Sequence, residues 1–205
     1  AYGHSGTNKT GIIQTAHKPM VVMSRPTSVR LNGTGIHTLY CEDLKELKKA
    51  VKWCIESDEA LEFGWHCFDS ISEWAEKEFL RYEDTSRKAY LNIQSEIMQI
   101  FLDLTTLPKR PVYCTAWAKT VQDGDISKEA YGFPGQALAQ KIPPLFSTIL
   151  RFHPATNDEG DTELVAQTQA NPTAFAKDES GNLDPIEQLN LTTILDKIQK
   201  GRTNV

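Results

Sequence analysis

The sequence lacks long apolar runs, paired cysteines and an excess of basic charge. Its longest apolar runs are only a few residues, so we expect no membrane span, and we expect no secretory signal ahead of the first motif. The four cysteines include no C-x-x-C pair, which favours buried, reduced thiols in a cytosolic protein. A net charge of −5 does not indicate a surface for nucleic acid or anionic lipid. The 205 residues predict one domain with a substantial core.

Short apolar or alternating segments predict strands, and longer amphipathic segments predict helices. The predicted strands are 19–23, 35–40, 62–70, 110–117, 147–153 and, as an antiparallel edge strand, 163–169. The predicted helices are 43–55, 71–79, 89–104 and 185–200, with Asp184 as cap of the last one, and 134–144 is a loop or short helix. Strands alternate with helices over residues 1–120, which predicts an α/β core with a mostly parallel sheet covered on both faces. Residues 121–205 are predicted to add strands and the closing helix.

Residues 3–10, with the sequence GHSGTNKT, differ at one position from the phosphate-binding pattern G-x-x-x-x-G-K-[ST]. Such a loop surrounds phosphates with backbone N–H groups and a helix N-terminus. Lys9 has the type and spacing of the lysine that neutralises phosphate oxygens, and Thr10 those of the hydroxyl that binds Mg²⁺. The remaining cofactor-binding candidates are the small or polar residues Gly3, Ser5, Gly6, Thr7 and Asn8.

Asn8 stands where the pattern has its second glycine. That glycine adopts a backbone conformation that most residues resist, although asparagine tolerates positive φ better than most. The predicted site is therefore impaired rather than excluded. Its position is a second departure, because only Ala1 and Tyr2 precede the loop and a buried strand is expected there. Either the first strand has been lost or the true start lies upstream, and a chance surface loop is the remaining alternative.

Two polar residues lie near the carboxyl ends of other predicted strands. Asp69 ends the strand in FDS and is a candidate Mg²⁺ ligand, because ligands gather at the carboxyl ends of strands in α/β sheets. The alternative is a helix N-cap at Asp69 or Ser70, with Glu73 closing a capping box. Thr115 in CTAW is a candidate for sensing the terminal phosphate or orienting water, and the alternative is an ordinary β-branched strand residue.

The order of these segments resembles a known family. The loop is followed by a strand ending FDS, a long helix ending TLPKRP, the strand VYCTAW, then GFPGQALAQKIPPLFSTILRF, and then AFAKDESGNLDPIEQLNLTTILDKI. This order is similar to that of the phage-encoded RecA-like P-loop ATPases of the single-strand-annealing recombination group. The resemblance covers nearly the whole chain, and its most specific part is the A-K-D-x-x-G-x-L-D block. It implies one RecA-like domain over residues 1–205, ATP and Mg²⁺ binding, homo-oligomerisation, and action on single-stranded DNA or with a single-strand-binding protein.

The resemblance also implies roles for single residues. Lys9 and Thr10 match the phosphate loop, Asp69 the second acidic motif, and Thr115 the polar residue after the next core strand. Lys177 matches a lysine that reaches a neighbouring subunit's nucleotide in RecA-like assemblies, and the alternative is a solvated loop lysine. Two departures weaken the case for hydrolysis. The family has a carboxylate after its second strand, where this chain has Ser24 and Arg25, and the family's K-D-R is K-D-E here.

These observations leave two main interpretations. The first is an ATP- and Mg²⁺-dependent recombination or annealing protein of the host cytoplasm, with hydrolysis impaired. The second is a catalytically degenerate relative with a structural or assembly role in a phage particle, where it would contact other phage proteins. An unrelated binding module with an accidental glycine loop is a third alternative, and the order of motifs counts against it.

Overall fold

The computed structural model describes residues 1–81, 87–107, 110–123, 125–134, 136–157 and 159–200. The strands are β1 (Tyr2–Gly3), β2 (Pro19–Met23), β3 (His37–Tyr40), β4 (Trp65–Asp69), β5 (Val112–Cys114), β6 (Ala116–Asp123), β7 (Ile126–Gly132), β8 (Thr148–Ile149), β9 (Arg151–Thr156), β10 (Thr162–Gln167), β11 (Lys177–Asp178) and β12 (Ile186–Gln188). The α-helices are α1 (Leu44–Glu56), α2 (Ile71–Arg81), α3 (Arg87–Leu104), α4 (Gln136–Lys141) and α5 (Leu191–Lys200). Short 3₁₀ turns occupy Gly11–Thr15, Glu59–Glu62 and Pro143–Leu145.

Four parallel strands form one part of the central sheet, in the order β3-β2-β4-β5. Met23 pairs with Asp69, and Phe68 pairs with Cys114, so the ends of these strands lie at one edge of the sheet. The strands ending near Met23, Asp69 and Thr115 are therefore adjacent and parallel, which confirms the predicted parallel core. The strands β2 and β4 are short, apolar and each followed by a crossover, as buried parallel strands require.

A second group of strands continues the sheet in the order β12-β10-β9-β1-β6-β7. The two groups meet at Thr115, where β5 passes directly into β6. The nitrogen of Ala1 donates to the Cys114 carbonyl at 2.7 Å, and Ala116 N donates to the Ala1 carbonyl at 2.9 Å. Strand β1 therefore lies beside the β5–β6 strand and is parallel to it, so that one strand separates β1 from β4.

Both faces of the sheet are covered, as the sequence predicts. Alternate residues of β2 and β4 point to opposite faces, so Val22 and Phe68 pack with α1, α2 and α3, whereas Val21 and Cys67 pack with α5 and the Gly11–Thr15 turn. Trp74 is almost fully buried, and its indole N–H donates to the Cys41 carbonyl at 2.7 Å. Among the described residues, no helix combines the length and the apolar composition that a bilayer span requires.

Several predicted elements need correction. The predicted strand 110–117 does not end at Trp117: β5 pairs with β4 as far as Cys114, and after Thr115 the chain continues as β6 to Asp123, where a hairpin with β7 follows. Strand β10 is antiparallel, as expected, but it is not the edge strand because β12 pairs with its outer side.

The predicted closing helix also begins later than expected. Residues 186–188 form β12, and α5 starts at Leu191, where the Asn190 side chain accepts a hydrogen bond from Thr193 N at 3.0 Å. Asp184 is therefore not the cap; it pairs with Lys197 at 2.7 Å. A cap residue and a proline mark where a helix can start, and pairing with a neighbouring strand overrode that local signal here.

Candidate functional site

The glycine loop follows a real strand. Tyr2 is fully buried, and β1 pairs with β6 on one side and β9 on the other. The sequence did not predict β1, because two residues show no periodicity. Gly3 is required at the end of this strand, since a Cβ there would lie 2.6 Å from the Phe152 carbonyl oxygen and 2.5 Å from Thr7 Oγ1. The loop therefore leaves the sheet where a phosphate-binding loop would.

Two residues of the loop have a left-handed backbone conformation. Gly6 has φ 86° and Asn8 has φ 62°, so Asn8 takes the conformation for which the pattern uses glycine. Thr7 donates through its hydroxyl to the His4 carbonyl at 2.9 Å, and Ser5 is exposed. Tyr113 of β5 braces the loop from the sheet by donating to the Lys9 carbonyl at 3.0 Å.

Lys9 lies across the loop rather than pointing to solvent. Its Nζ donates to the carbonyls of Gly3 and His4, each at 2.7 Å. Burial lowers the pKa of Lys9, and the charge of Asp69 acts in the opposite direction. An ammonium held at carbonyl oxygens can exchange them for phosphate oxygens, which bind it more strongly because they carry charge.

Thr10, Asp69 and Thr115 form one hydrogen-bonded group at the carboxyl edge of the sheet. The Thr10 hydroxyl donates to Asp69 Oδ2 at 2.8 Å, and the Thr115 hydroxyl donates to Asp69 Oδ1. Both carboxylate oxygens of Asp69 therefore accept from side chains that the sequence placed in the same site.

The structure does not show the alternative arrangement, in which Asp69 or Ser70 caps α2 and Glu73 closes a capping box. Ser70 N donates to Ser24 Oγ at 3.1 Å, and the Glu73 carboxylate pairs with Arg25 and Lys77 instead of closing a capping box. Asp69 is therefore held by the two threonines and not by the amides of α2.

The donor set fits Mg²⁺. Hard oxygen ligands suit this ion, which usually keeps several waters and takes one or two protein carboxylates together with phosphate oxygens. Asp69 and Thr10 supply a carboxylate and a hydroxyl already 2.8 Å apart. The described part of the chain contains no cluster of three or more His, Cys, Asp or Glu side chains that could hold a metal alone. A metal at this site would therefore depend on a phosphate ligand.

A cavity of about 590 Å³ opens over this group. One wall is the glycine loop, and the opposite wall is the segment after β2. Its lining residues that carry charge are Lys9, Arg25, Arg30, Asp69 and Glu73. The sequence predicts neither Arg30 nor Glu73 in the site, because a capping role is sufficient for Glu73 and no local pattern marks Arg30.

The segment after the loop departs from the expectation of a helix N-terminus. Gly11–Thr15 is a five-residue 3₁₀ turn, too short to provide an aligned helix dipole. It is held by the buried Ile12 and Ile13 and by α5, whose Leu191 N donates to Thr15 Oγ1 at 2.8 Å. Phosphate binding here would rest on Lys9, on the loop amides and on a metal ion.

Lys177 lies apart from this group within one chain. It belongs to β11, not to a polar loop, and pairs with Ile149, two residues before the Arg151 that faces Tyr2. It is therefore near the amino end of β1, whereas the loop leaves the carboxyl end. Its Nζ donates to the Phe146 carbonyl at 2.8 Å and pairs with Glu179 at 2.6 Å. A role at a neighbouring subunit's nucleotide stays a prediction.

The A-K-D-x-x-G-x-L-D block, residues 176–184, is organised around the side chain of Asp178. Asp178 accepts hydrogen bonds from Ser180 N at 2.9 Å and from Leu183 N at 3.1 Å, and Gly181 between them has φ 68°. The carboxylate thus organises a tight turn. Burial acts to raise the pKa of Asp178, and the hydrogen bonds from the Ser180 hydroxyl and from these backbone amides outweigh it and lower that pKa.

Comparison with known proteins adds little to this geometry. No family model matches the chain, and no curated protein matches its sequence. Among solved structures, the chain is similar to the flagellar accessory protein FlaH from Methanocaldococcus jannaschii, with a TM-score of 0.49 and 14% identity over 92% of this chain and 85% of FlaH. At that level the similarity carries no argument about the function of this chain.

Proposed function

We propose that this protein is a RecA-like P-loop protein that binds ATP with Mg²⁺ and hydrolyses it slowly. The observation that carries the proposal is the meeting of Lys9 and Thr10 from the glycine loop with Asp69 from the end of β4 at one cavity, where the buried Thr115 donates to Asp69. The strand order supports it too, because the strand carrying Thr115 lies between β1 and β4. In open α/β sheets, ligands bind at the carboxyl ends of such strands.

Each residue has a definite task in this proposal. Lys9 exchanges its contacts with the Gly3 and His4 carbonyls for β- and γ-phosphate oxygens. Thr10 and Asp69 hold Mg²⁺, which when bound draws charge from the phosphate oxygens. Thr115 is fully buried, so it senses the terminal phosphate through its hydrogen bond to Asp69 and not by direct contact.

Slow hydrolysis follows from three features of the site. Asn8 occupies a left-handed conformation that costs a side chain about 1 kcal/mol, which weakens binding by less than tenfold. The 3₁₀ turn after the loop supplies little dipole. Arg25 follows β2 where the resembled family has a carboxylate, so no carboxylate from β2 orients water.

The wider role rests on the resemblance. The proposal includes assembly into a homo-oligomer and action on single-stranded DNA, alone or with a single-strand-binding protein, in phage recombination or annealing. With a net charge of −5, such binding needs a local basic stripe on the assembly.

A structural or assembly role in a phage particle is the alternative. It is favoured by the departures of the site from the pattern, Asn8 in the loop and Arg25 after β2, which it explains together.

A binding experiment tests the core of the proposal. A fluorescent ATP analogue is titrated with and without Mg²⁺ into the wild-type chain and into Lys9→Ala and Asn8→Gly. We expect Lys9→Ala to weaken binding about 10- to 100-fold, because a charge-assisted contact contributes about 1.5–3 kcal/mol. Asn8→Gly should strengthen it by less than tenfold. The control is Lys45→Ala on the exposed side of α1.

The outcomes separate the two roles. Absence of binding even in Asn8→Gly would overturn nucleotide binding and favour the assembly role. Rapid turnover by the wild type, lost in Lys9→Ala, would overturn the impaired site.

A separate experiment tests assembly. The molar mass in solution is measured with and without ATP for the wild type and for Lys177→Ala, and a monomer at every concentration would contradict assembly.

A further inference from the structure

Glu73 is a carboxylate of the cavity that none of the roles above uses. It lies in the first turn of α2, the helix that begins two residues after Asp69. It is only 9% exposed, yet it lines the same cavity as Lys9, Thr10 and Asp69. A glutamate buried to this extent at a polar cavity is costly unless it is paired, and Glu73 is paired with two cations.

Its two carboxylate oxygens are occupied by different partners. Arg25 Nε donates to Glu73 Oε2 at 2.7 Å, and Lys77 Nζ lies 3.4 Å from Oε1. Lys77 Nζ also donates to the Ser24 carbonyl. The Arg25 side chain is 67% exposed, whereas that of Glu73 is 11% exposed. Arg25 is therefore the partner that can move away, and Glu73 is the fixed member of the pair.

The ion pair of Arg25 with Glu73 brings a carboxylate to the part of the cavity where β2 provides none. Met23 pairs with Asp69 across β2 and β4, so the residues just after these two strands are neighbours at the cavity. Arg25 stands where a water-orienting carboxylate is expected, and its guanidinium is one hydrogen bond from Glu73. The negative charge that β2 does not provide thus comes from α2.

We infer that Glu73 is the carboxylate that orients and deprotonates the attacking water, and that Arg25 restrains it until the pair opens. This inference rests on the proposed function. In the step, the water oxygen forms a bond to the γ-phosphorus and its proton passes to Glu73. The bond from the γ-phosphorus to the β–γ bridging oxygen breaks, and ADP leaves with that electron pair. While Arg25 holds Oε2, this oxygen is not free to accept a hydrogen bond from water.

The test measures phosphate release in a single turnover at saturating ATP and Mg²⁺, with binding of the fluorescent analogue measured separately. We expect Glu73→Gln to lower the rate at least tenfold with affinity changed less than threefold, and Glu73→Asp to restore part of the rate. Arg25→Ala should raise the rate several-fold, and the double variant should be as slow as Glu73→Gln. The control is Glu76→Gln, an exposed glutamate of the same helix.

A purely structural role for the pair would not produce a gain of rate that depends on Glu73. The inference is overturned if Arg25→Ala gives no rise, if the rise survives in the double variant, or if Glu73→Gln binds ATP and turns it over at the wild-type rate. Loss of binding in the wild type would instead be a failure of the proposed function. Thermal unfolding of each variant shows whether a lost rate reflects a lost fold.

Discussion

The hydroxyl of Thr10 donates to Asp69 Oδ2 at 2.8 Å and so joins the glycine loop to the end of β4, 59 residues further along the chain. The two groups that would bind Mg²⁺ are already in contact with each other. Metal binding would replace this hydrogen bond by two metal–oxygen contacts, which needs little movement of the backbone. The contact therefore pre-forms the site.

Asp69→Asn should remove the effect of Mg²⁺ on nucleotide binding. The amide keeps the shape of the side chain but lacks the charge that attracts the cation. We expect wild-type affinity for the ATP analogue to rise when Mg²⁺ replaces EDTA, and the affinity of Asp69→Asn to be equal in both. Asp103→Asn, on α3 and away from the cavity, should behave as the wild type. An unchanged Mg²⁺ effect in Asp69→Asn would exclude Asp69 as the ligand.

Gly3→Ala should destabilise the fold before any ligand is involved. The new methyl would meet the Phe152 carbonyl oxygen of β9 at 2.6 Å, and a backbone atom within a sheet cannot rotate away. Overpacking of this kind costs about 1–3 kcal/mol, which lowers Tm by roughly 2–12 °C in a chain of this size. Differential scanning calorimetry without nucleotide measures the change, and Ser5→Ala in the same loop is the control. An unaltered Tm would mean that β1 and β9 are not held this closely.

The parallel core could be predicted from the sequence because its physical signals are local. The apolar run PMVVM and the stripe of Ile93, Ile97 and Phe101 each have one reasonable structure, and both are buried as expected. Strands β1 and β12 could not be predicted, because a two- or three-residue strand exists only through its neighbours. The same holds for Glu73, whose place in the cavity depends on the adjacency of β2 and β4. Local sequence also favoured a helix at 185–190, and pairing with β10 overrode it.

The cysteines should be inert in the folded protein. All four are buried and free, and burial raises the pKa of Cys41 to about 11 and that of Cys54 and Cys114 to about 12. Burial also raises the pKa of Cys67 well above its ordinary value. The thiolate is the reactive form, and at pH 8 a thiol with the lowest of these pKa values is ionised in only about one molecule in a thousand. We expect no fast reaction with a thiol reagent at pH 8 and titration of four thiols after unfolding. One fast thiol in the native protein would indicate local opening of the fold around that cysteine.

Glu129 should make the stability of the protein depend on pH. It lies on β7, and its carboxylate accepts from Arg151 Nε at 2.9 Å and contacts His4 Nε2 at 3.1 Å, so it connects the glycine loop to β7 and β9. Burial alone would raise the pKa of Glu129. The hydrogen bonds and charges of Arg151 and His4 outweigh burial and hold the pKa below its ordinary value of 4.5.

The lowered pKa of Glu129 determines how the stability changes with pH. A carboxyl with a lower pKa in the folded state stabilises the fold above pH 4.5, and the stabilisation is lost as the pH falls through the folded-state pKa. Glu129→Gln should therefore unfold at a lower temperature than the wild type at pH 7, by an amount equivalent to roughly 1.5–3 kcal/mol. The difference should shrink as the pH falls below 4.5. Thermal unfolding at pH 7, 5, 4 and 3 measures it, with the exposed Glu163→Gln of β10 as control. A difference that stays constant across this range would show that the mutation acts through packing and not through the charge of Glu129.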